Sequence, residues 1–294
     1  MKIGKLGVWA ATESMTAVEA AAFAKRVEVW GYGALWLPEA MGRNVLVHSS
    51  WLLANTKTLV IATGIANIYA RDAMAMAAAQ LTLAEQSGSR FLLGLGVSHV
   101  PLVEGVRGHV YEKPIAKMRA YLETMAKIHY ISPRPAEKPP TVIAALGPQM
   151  LTLTAELADG AHPYNVTPEH TAQARALLGP GKFLCPEQKV MLETDPAIAR
   201  EAGRRNLAVY LPLPNYRNNL LRLGFTQADL EGGGSDRLID GLVAWGDENA
   251  IRKRIQAHWD AGADHVCIQS IRRDGDAGKP PDEKIFELLS PIAD

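Results

Sequence analysis

A glycine-bearing segment in the first half of the chain is the first candidate for chemistry. Residues 94–99 read Gly-Leu-Gly-Val-Ser-His and follow an apolar run. The segment begins like the dinucleotide-binding pattern GxGxxG, but His99 replaces the third glycine and no helical pattern opens directly after it, so a Rossmann site is not favoured. Two interpretations stay open: a plain strand-to-loop turn, which this segment alone favours slightly, or a nest of backbone N–H groups that binds an anion, with Ser98 adding a hydroxyl.

A second candidate anion site lies where a strand pattern passes into a helix pattern, at Gly147-Pro148-Gln149. The first N–H groups of a helix have no partner inside the helix and can bind phosphate. Pro148 has no N–H, so Gln149 and Met150 would have to donate. Since every strand-to-helix junction offers such groups, this signal has low specificity.

Four side chains are candidates for acid–base chemistry. Glu39 follows an apolar strand pattern, and His48, His99 and His162 are the candidate imidazoles. A carboxyl group at a strand end can donate a proton or bind a ligand N–H, and histidine titrates near neutral pH. For each one taken alone, a structural role is the more common outcome. The eight histidines form no HExxH or similarly tight spacing, so a metal site is not favoured.

The elements that must position these residues alternate along the chain. Short apolar runs, typical of strands buried on both faces, are separated by helical patterns. Eight runs favour a closed (β/α)8 barrel, whose function lies at the carboxyl ends of the strands, over a doubly wound open sheet. Residues 209–246 break the rhythm and are predicted to be an insertion before the last β/α unit of a single domain, residues 1–294. The predicted strands are 5–10, 34–38, 59–66, 91–95, 141–145, 161–164, 189–192 and 265–269.

Composition narrows the class of partner. Lys plus Arg and Asp plus Glu both number 31, and zero net charge removes the broad basic field of a nucleic-acid-binding protein. Cys185 and Cys267 form no CxxC, which indicates a reducing compartment. No apolar run reaches the roughly 18 residues of a membrane span, and the first residues enter a strand pattern without a signal peptide. We therefore expect a cytoplasmic protein with no membrane or nucleic-acid partner.

Several segments together resemble the bacterial luciferase-like flavin and deazaflavin oxidoreductases. The resemblance is closest to the branch that uses coenzyme F420, an 8-hydroxy-5-deazaflavin. Each segment is moderately specific, whereas their order and spacing over essentially the whole chain are a strong signal. The segments are 31–39 (GYGALWLPE), 62–67 (ATGIAN), 90–96 (RFLLGLG), 158–161 (ADGA), 245–248 (WGDE) and 261–266 (AGADHV).

The resemblance implies a (β/α)8 TIM barrel with a flavin-type ring at the carboxyl ends of its strands. In the family, a non-prolyl cis peptide after strand three backs the ring, and it maps here to Gly64-Ile65. The phosphate would meet Gly96-Val97-Ser98 and the helix start at 147–150, so that the two anion candidates become one site. The other residues expected around the coenzyme or substrate are Trp9, Glu39, His48, Asn67, His162, Tyr164 and Asn165, with Glu39, His48 and His162 as the candidate catalytic groups.

Two positions depart from the sugar-phosphate dehydrogenases of this family. The acid that those enzymes carry after strand four is Val97 here, which argues against that activity. Their Asp-His pair after strand two reads Glu39-Ala40 here, so the acid is retained and the histidine is lost.

Three functions follow, in this order. The first is hydride transfer between C5 of F420 and a small organic substrate, in an enzyme that we expect to be a homodimer. The second is an FMN-dependent monooxygenase that acts on an aldehyde, sulfonate or ketone. The third, motivated by the lost histidine, is a barrel that binds a flavin or deazaflavin without turnover.

Overall fold

The computed structural model describes residues 1–276 and 278–292, and strands alternate with helices along them. The strands are β1 (Leu6–Trp9), β2 (Ala34–Leu37), β3 (Val60–Thr63), β4 (Ala66–Asn67), β5 (Phe91–Gly96), β6 (Thr141–Ile143), β7 (Gly160–Ala161), β8 (Phe183–Leu184), β9 (Glu187–Leu192), β10 (Val243–Gly246) and β11 (Val266–Ser270). The helices are α1 (Ala17–Val29), α2 (Val45–Asn55), α3 (Ala73–Gln86), α4 (Pro114–Ala126), α5 (Pro148–Leu157), α6 (Pro168–Leu178), α7 (Pro196–Leu207), α8 (Pro214–Arg222), α9 (Asp236–Leu242), α10 (Glu248–Asp260) and α11 (Glu283–Leu288). A π-helical segment covers Pro101–Val106 and a 3-10 turn covers Ala228–Leu230.

The described strands form one curled parallel sheet in the order β10-β9-β11-β1-β2-β3-β5-β6-β7-β8, with β4 beside β5. One stretch of chain links the end strand β8 to β9, the second strand from the other end, because only Cys185 and Pro186 separate β8, which pairs with β7, from β9, which pairs with β11. Backbone hydrogen bonds from Cys185 N to Ala161 O (2.9 Å) and from Cys267 N to Pro186 O (3.0 Å) join both neighbours to this stretch. The predicted α/β barrel class is confirmed.

All eight predicted strands overlap observed ones, the third covering β3 and the first residue of β4, but the sheet also contains β8 and β10. Strand β10 consists of the last residues of the predicted insertion, where Val243 pairs with Lys189 of β9. The rest of that segment carries α8, the 3-10 turn and α9. The expectation that no helix follows residues 94–99 directly was wrong, since the π-helical segment begins at Pro101.

Alternate residues of the strands face two different layers, as the pleat requires. Leu35 and Ile61 pack in the large cluster between the sheet and the helices. Ala34, Trp36 and Ala62 belong to a smaller cluster on the other face of the same strands, inside the curled sheet. This inner cluster fills the barrel beneath the carboxyl ends of the strands and supports the side chains there.

Caps determine where several helices begin. Thr16 and Glu19 form a capping box at α1, and the side chains of Asp72 and Asp247 accept from the first turns of α3 and α10. Helix α5 differs, because Gly147 precedes it without a side-chain cap. The N–H groups of its first turn are therefore left free to bind another group.

Within residues 1–276 and 278–292, no helix is both long and apolar enough to cross a membrane. Over the same residues, no group of three or more His, Cys, Asp or Glu side chains is arranged to hold a metal ion.

Candidate functional site

A cavity of about 770 Å³ opens at the carboxyl ends of the strands. This volume lies within the usual range for sites that enclose a small molecule. Residues after β1, β2, β3, β5, β6 and β7 form one side, and the insertion closes over it with Tyr210, Tyr216 and Arg222. The cavity thus occupies the part of the barrel where the sequence predicts function.

Most of the predicted site residues come together in this cavity wall. His99, the fourth acid–base candidate, also lines it, and burial lowers the pKa of its imidazole. The predicted residues in the wall are Trp9, Glu39, Gly64, Ile65, Gly96, Val97, Ser98, Gly147, Pro148, Gln149, Met150, His162 and Tyr164.

Three predicted residues lie outside the wall. His48 is buried in α2, where its Nε2 pairs with Thr12 Oγ1 at 2.9 Å and burial lowers its pKa to about 4. Asn67 lies behind the wall, with its Oδ1 accepting from Tyr69 N at 2.9 Å and its Nδ2 unpartnered. Asn165 is buried, and its backbone N–H donates to Glu187 Oε2 at 3.2 Å. His48 is therefore not part of the cavity wall, and a catalytic role for it stays a prediction.

The floor of the cavity is built around the peptide bond between Gly64 and Ile65. This bond is cis, as the family resemblance implies. Trp9 Nε1 donates to Gly64 O at 3.1 Å, which fixes the indole against the peptide. A Cβ at Gly64 would come within 2.7 Å of Trp9 Nε1 and 2.9 Å of His162 Nε2, so only glycine fits between these two rings.

His162 packs against this floor in one fixed orientation and with one ring nitrogen unpartnered. Its Nδ1 lies 2.7 Å from Cys185 O, an atom that can only accept, so Nδ1 carries the proton. Its ring stacks on Trp36 with centroids 4.4 Å apart, and its Nε2 is buried without a hydrogen-bond partner. Burial lowers the pKa of His162 to about 4, so the imidazole is neutral at physiological pH and Nε2 is an acceptor.

Glu39 is held by two neighbours. Its carboxylate forms a bidentate ion pair with the guanidinium of Arg71, and Oε2 also accepts from Asn67 N at 2.8 Å. The side chains of Glu39 and Arg71 are 5% and 12% exposed. Both carboxylate oxygens are engaged, so this geometry suits positioning of β4 more than proton transfer to a ligand.

Another part of the cavity wall is rich in free donors. A Cβ at Gly96 would lie 2.5 Å from Ile65 Cδ1, so glycine lets the backbone approach the floor closely. Ser98 has a φ of +57°, a conformation found in anion nests. The uncapped first turn of α5 adds the N–H groups of Gln149 and Met150. The two predicted anion segments therefore line one cavity, as the resemblance implies.

Arg222 at the end of α8 is a functional candidate that the sequence does not reveal. Its Nη2 lies 3.3 Å from the position that a Cβ on Gly147 would take, which places the guanidinium beside the start of α5. It donates to Asn219 Oδ1 at 3.2 Å and forms no ion pair with any carboxylate of the described chain. Burial lowers its pKa. No sequence signal separates this arginine from others on the surface of the insertion.

A buried polar cluster beside the cavity also escaped the sequence analysis. Lys189 and Glu187 form a fully buried ion pair on β9, with Nζ and Oε1 3.3 Å apart. Lys189 Nζ lies 3.4 Å from Gln269 Oε1 and 3.9 Å from the centre of the Tyr164 ring. A signal was available, because Glu187-Gln188-Lys189 interrupts an otherwise apolar strand pattern.

Comparison with known proteins identifies the family to which this chain belongs. The sequence profile of the luciferase-like monooxygenases matches residues 3–265. The chain belongs to this family. It is 27% identical to a Mycobacterium tuberculosis protein named as a coenzyme F420-dependent oxidoreductase, over 89% of this chain and 92% of the other. It is also 30% identical to the 5,10-methylenetetrahydromethanopterin reductase of Archaeoglobus fulgidus, over 47% of this chain and 46% of that enzyme.

Solved structures share the fold of this luciferase-like protein at low sequence identity. An F420-dependent secondary alcohol dehydrogenase superposes with a TM-score of 0.77 and 15% identity, covering 99% of this chain and 98% of the other. The F420-dependent tetrahydromethanopterin reductase of Methanopyrus kandleri gives 0.74 and 16%, with 99% and 98% covered. A long-chain alkane monooxygenase gives 0.67 and 13%, with 99% and 91% covered. At these identities the likeness shows the fold alone.

Proposed function

We propose that this luciferase-like protein is an oxidoreductase that uses coenzyme F420 to transfer hydride to or from a small organic substrate. The observation that carries the proposal is the cavity itself, whose wall combines an apolar floor with free anion donors. The relative from M. tuberculosis, which aligns along most of both chains, supports F420 as the coenzyme.

The residues present fit a planar tricyclic coenzyme with an anionic tail. Ile65 and Val97 offer apolar surface for a ring, next to the close approach of Gly96. The first turn of α5 and Arg222 offer donors and positive charge for the tail. When bound, F420 supplies a ring carbon that accepts or donates a hydride. The protein contributes binding, orientation and exclusion of water.

The protein's own groups have separate parts in this proposal. Trp9 and His162 border the substrate side, where Cys185 O and the stacked ring of Trp36 hold the imidazole in place. Glu39 holds Arg71 and the backbone of Asn67, and so keeps β4 in place behind the ring site. Ser98, Gln149 and Arg222 hold the tail.

Equilibrium titration of the purified protein with oxidised and reduced F420, and with FMN in parallel, tests the proposal. We expect F420 to bind and FMN to bind more weakly. Arg222→Ala is expected to weaken F420 binding about tenfold, since a charge-assisted hydrogen bond contributes roughly 1.5 kcal/mol or more. Arg237→Ala, on the exposed face of α9, is the matched control. Tight FMN binding without an F420 response, with oxygen consumed when reduced FMN is supplied, would establish the FMN monooxygenase instead.

We further propose that the protein is a homodimer. Val47 and Trp51 on α2 and Met74 on α3 expose apolar surface, with 70% of Val47 accessible. Sedimentation equilibrium is expected to give twice the chain mass for the wild-type protein and the chain mass for Val47→Glu. A monomeric wild-type protein would contradict this proposal.

A further inference from the structure

We propose that His170, which lies on α6 behind the cavity wall, is a positioning residue for the anionic tail of the coenzyme. It acts through the peptide bond between Leu146 and Gly147, and it directs the N–H of this peptide into the tail site. The inference rests on the proposed function, because the tail belongs to the coenzyme named there. It adds to that function a residue that touches neither coenzyme nor substrate.

His170 holds the carbonyl group that precedes the start of α5. Its Nε2 lies 2.8 Å from Leu146 O. Because a carbonyl oxygen can only accept, Nε2 carries the proton and donates it. His170 is only 2% exposed, and within the described residues Leu146 O accepts no other hydrogen bond. This one bond therefore sets the orientation of the peptide.

The orientation of this peptide decides which way the Gly147 N–H points. Among the described residues only the 64–65 bond is cis, so the Leu146–Gly147 peptide is trans, and its C=O and N–H point in opposite directions. Leu146 and Gly147 belong to the cavity wall, whereas His170 does not. With the C=O turned back toward His170, the N–H is turned toward the cavity, and no acceptor within the described residues takes it.

An anion at this corner benefits twice from that orientation. The Gly147 N–H joins the free N–H groups at the start of α5, and the carbonyl oxygen, which carries partial negative charge, is kept away from the anion. Glycine makes the opposite orientation accessible, because the backbone around it meets little steric hindrance. Without His170, we expect the Leu146 carbonyl to turn toward the cavity and to repel the anion.

Arg222 lies at the same corner and has a different part. Its Nη2 is 3.3 Å from the position that a Cβ on Gly147 would take. Burial lowers the pKa of His170, the bond to Leu146 O opposes this shift, and the nearby charge of Arg222 adds to it. The imidazole is therefore neutral at physiological pH. His170 sets the direction of the peptide, and Arg222 supplies the positive charge.

The second ring nitrogen of His170 makes the imidazole a poor contributor to stability. Nδ1 is buried without a hydrogen-bond partner, which costs stability. Replacement by leucine removes this unpartnered atom together with the bond to Leu146 O, so that the two effects offset each other. We therefore expect stability and tail binding to respond differently to the same substitution.

The test separates the tail from the ring with two pairs of ligands. F420 is compared with its 8-hydroxy-5-deazaflavin riboside, and FMN is compared with riboflavin, because only the first ligand of each pair carries phosphate. Fluorescence titration gives the ratio of the two dissociation constants, which measures the contribution of the phosphate. In the pair that the wild-type protein binds, we expect the phosphate-bearing ligand to bind at least about tenfold more tightly.

His170→Leu is expected to lower this ratio about tenfold, the effect of losing one charge-assisted hydrogen bond, without weakening the ligand that lacks phosphate. Its melting temperature should stay within about 3 °C of the wild-type value. His170→Gln is expected to restore most of the ratio, since a glutamine amide can place an N–H close to the position of Nε2. A crystal structure of His170→Leu is expected to show Leu146 O turned toward the cavity.

Thr171→Val is the matched control. Thr171 is buried at the next position of α6, and its hydroxyl lies 2.8 Å from His258 Nδ1, so the substitution also removes a buried hydrogen bond. It leaves the peptide before α5 untouched, and the ratio should not change.

The inference is overturned if His170→Leu keeps the wild-type ratio or weakens both ligands of a pair equally. It is also overturned if His170→Gln lowers the ratio as far as His170→Leu, if Leu146 O keeps its direction in His170→Leu, or if phosphate adds no affinity in either pair. Failure of the proposed function is a separate result. A protein that binds FMN and not F420 contradicts that function, and the ratio for FMN and riboflavin still decides the role of His170.

Discussion

Glu39 shows that the role assigned to a side chain from sequence can change once its neighbours in the fold are known. From sequence it is the acid retained after strand two and a catalytic candidate. In the fold it lies in the cavity wall, but Arg71 and the N–H of Asn67 occupy its carboxylate. Since an engaged carboxylate is a poor proton donor, we assign to Glu39 the role of holding β4 behind the ring site.

Glu39→Gln tests this role at the level of the single residue. The substitution leaves Arg71 mostly buried without its counter-charge, and loss of one partner of such a pair lowers the free energy of unfolding by about 3 kcal/mol or more. Glu156→Gln breaks the half-exposed pair with Arg119 and should change it by less than about 1 kcal/mol. Chemical denaturation of both variants provides the comparison. Equal stability of Glu39→Gln and the wild-type protein would show that the pair does not hold the site.

The residues that the sequence missed share one property. Arg222 meets Gly147, and Lys189 meets Gln269, through contacts between distant parts of the chain. The polar run 187–189 marks Lys189 in the sequence, but no local pattern identifies the partner of either residue, because the partners are set by how the sheet curls and how the insertion folds over it. The glycine-bearing segments could be predicted, since their close backbone approach requires glycine locally.

At the scale of elements, helices α5 and α6 start in the same way but face different surroundings. Each begins with proline at its first position, and neither has a side-chain cap. The start of α5 opens into the cavity beside Ser98 and Arg222, and no residue of the first turn of α6 lines that cavity. A coenzyme tail would use the free N–H groups of α5 alone.

Gln149→Pro removes one of these donors at a position where helices tolerate proline. We expect the fold to be retained and F420 affinity to fall about tenfold, the effect of losing one charge-assisted hydrogen bond. Glu169→Pro makes the equivalent change in α6 and should leave F420 affinity unchanged. Fluorescence titration of both variants decides between them. If the two variants bind F420 equally well, the tail does not lie on α5.

The sequence predicts the long-range order of elements better than their edges. Continuous apolar runs and proline or aspartate at helix starts locate all eight predicted strands and most helices. Strand β8 has two residues and β10 follows α9 without a loop, so neither carries a run long enough to detect. The π-helical segment at Pro101–Val106 is irregular and has no periodic signature.

At the scale of the whole molecule, buried neutral histidines make the free energy of unfolding depend on pH. Burial lowers the pKa of His162 and His265 to about 4 and that of His258 to about 3. Each imidazole binds a proton more readily in the unfolded chain, where its pKa is near 6.5. The unfolded state therefore gains protons as pH falls, and stability is lost from about pH 6.5 down toward pH 4.

We expect the free energy of unfolding to fall between pH 7 and pH 5.5 by roughly 1 kcal/mol for each of these three imidazoles. This window lies above the usual titration range of carboxylates, so the histidines dominate it. Urea denaturation at a series of pH values measures the slope. His258→Gln should flatten it, whereas His129→Gln, on the surface, should not. A wild-type protein equally stable at pH 7 and pH 5.5 would contradict the burial of neutral imidazoles.

A crystal structure of the protein grown with F420 tests the central claim most directly. We predict that the deazaflavin ring lies against the Gly64–Ile65 peptide and that the anionic tail lies between Ser98, the first turn of α5 and Arg222. Density for the coenzyme outside this cavity, or a tail that contacts none of these three groups, would contradict it.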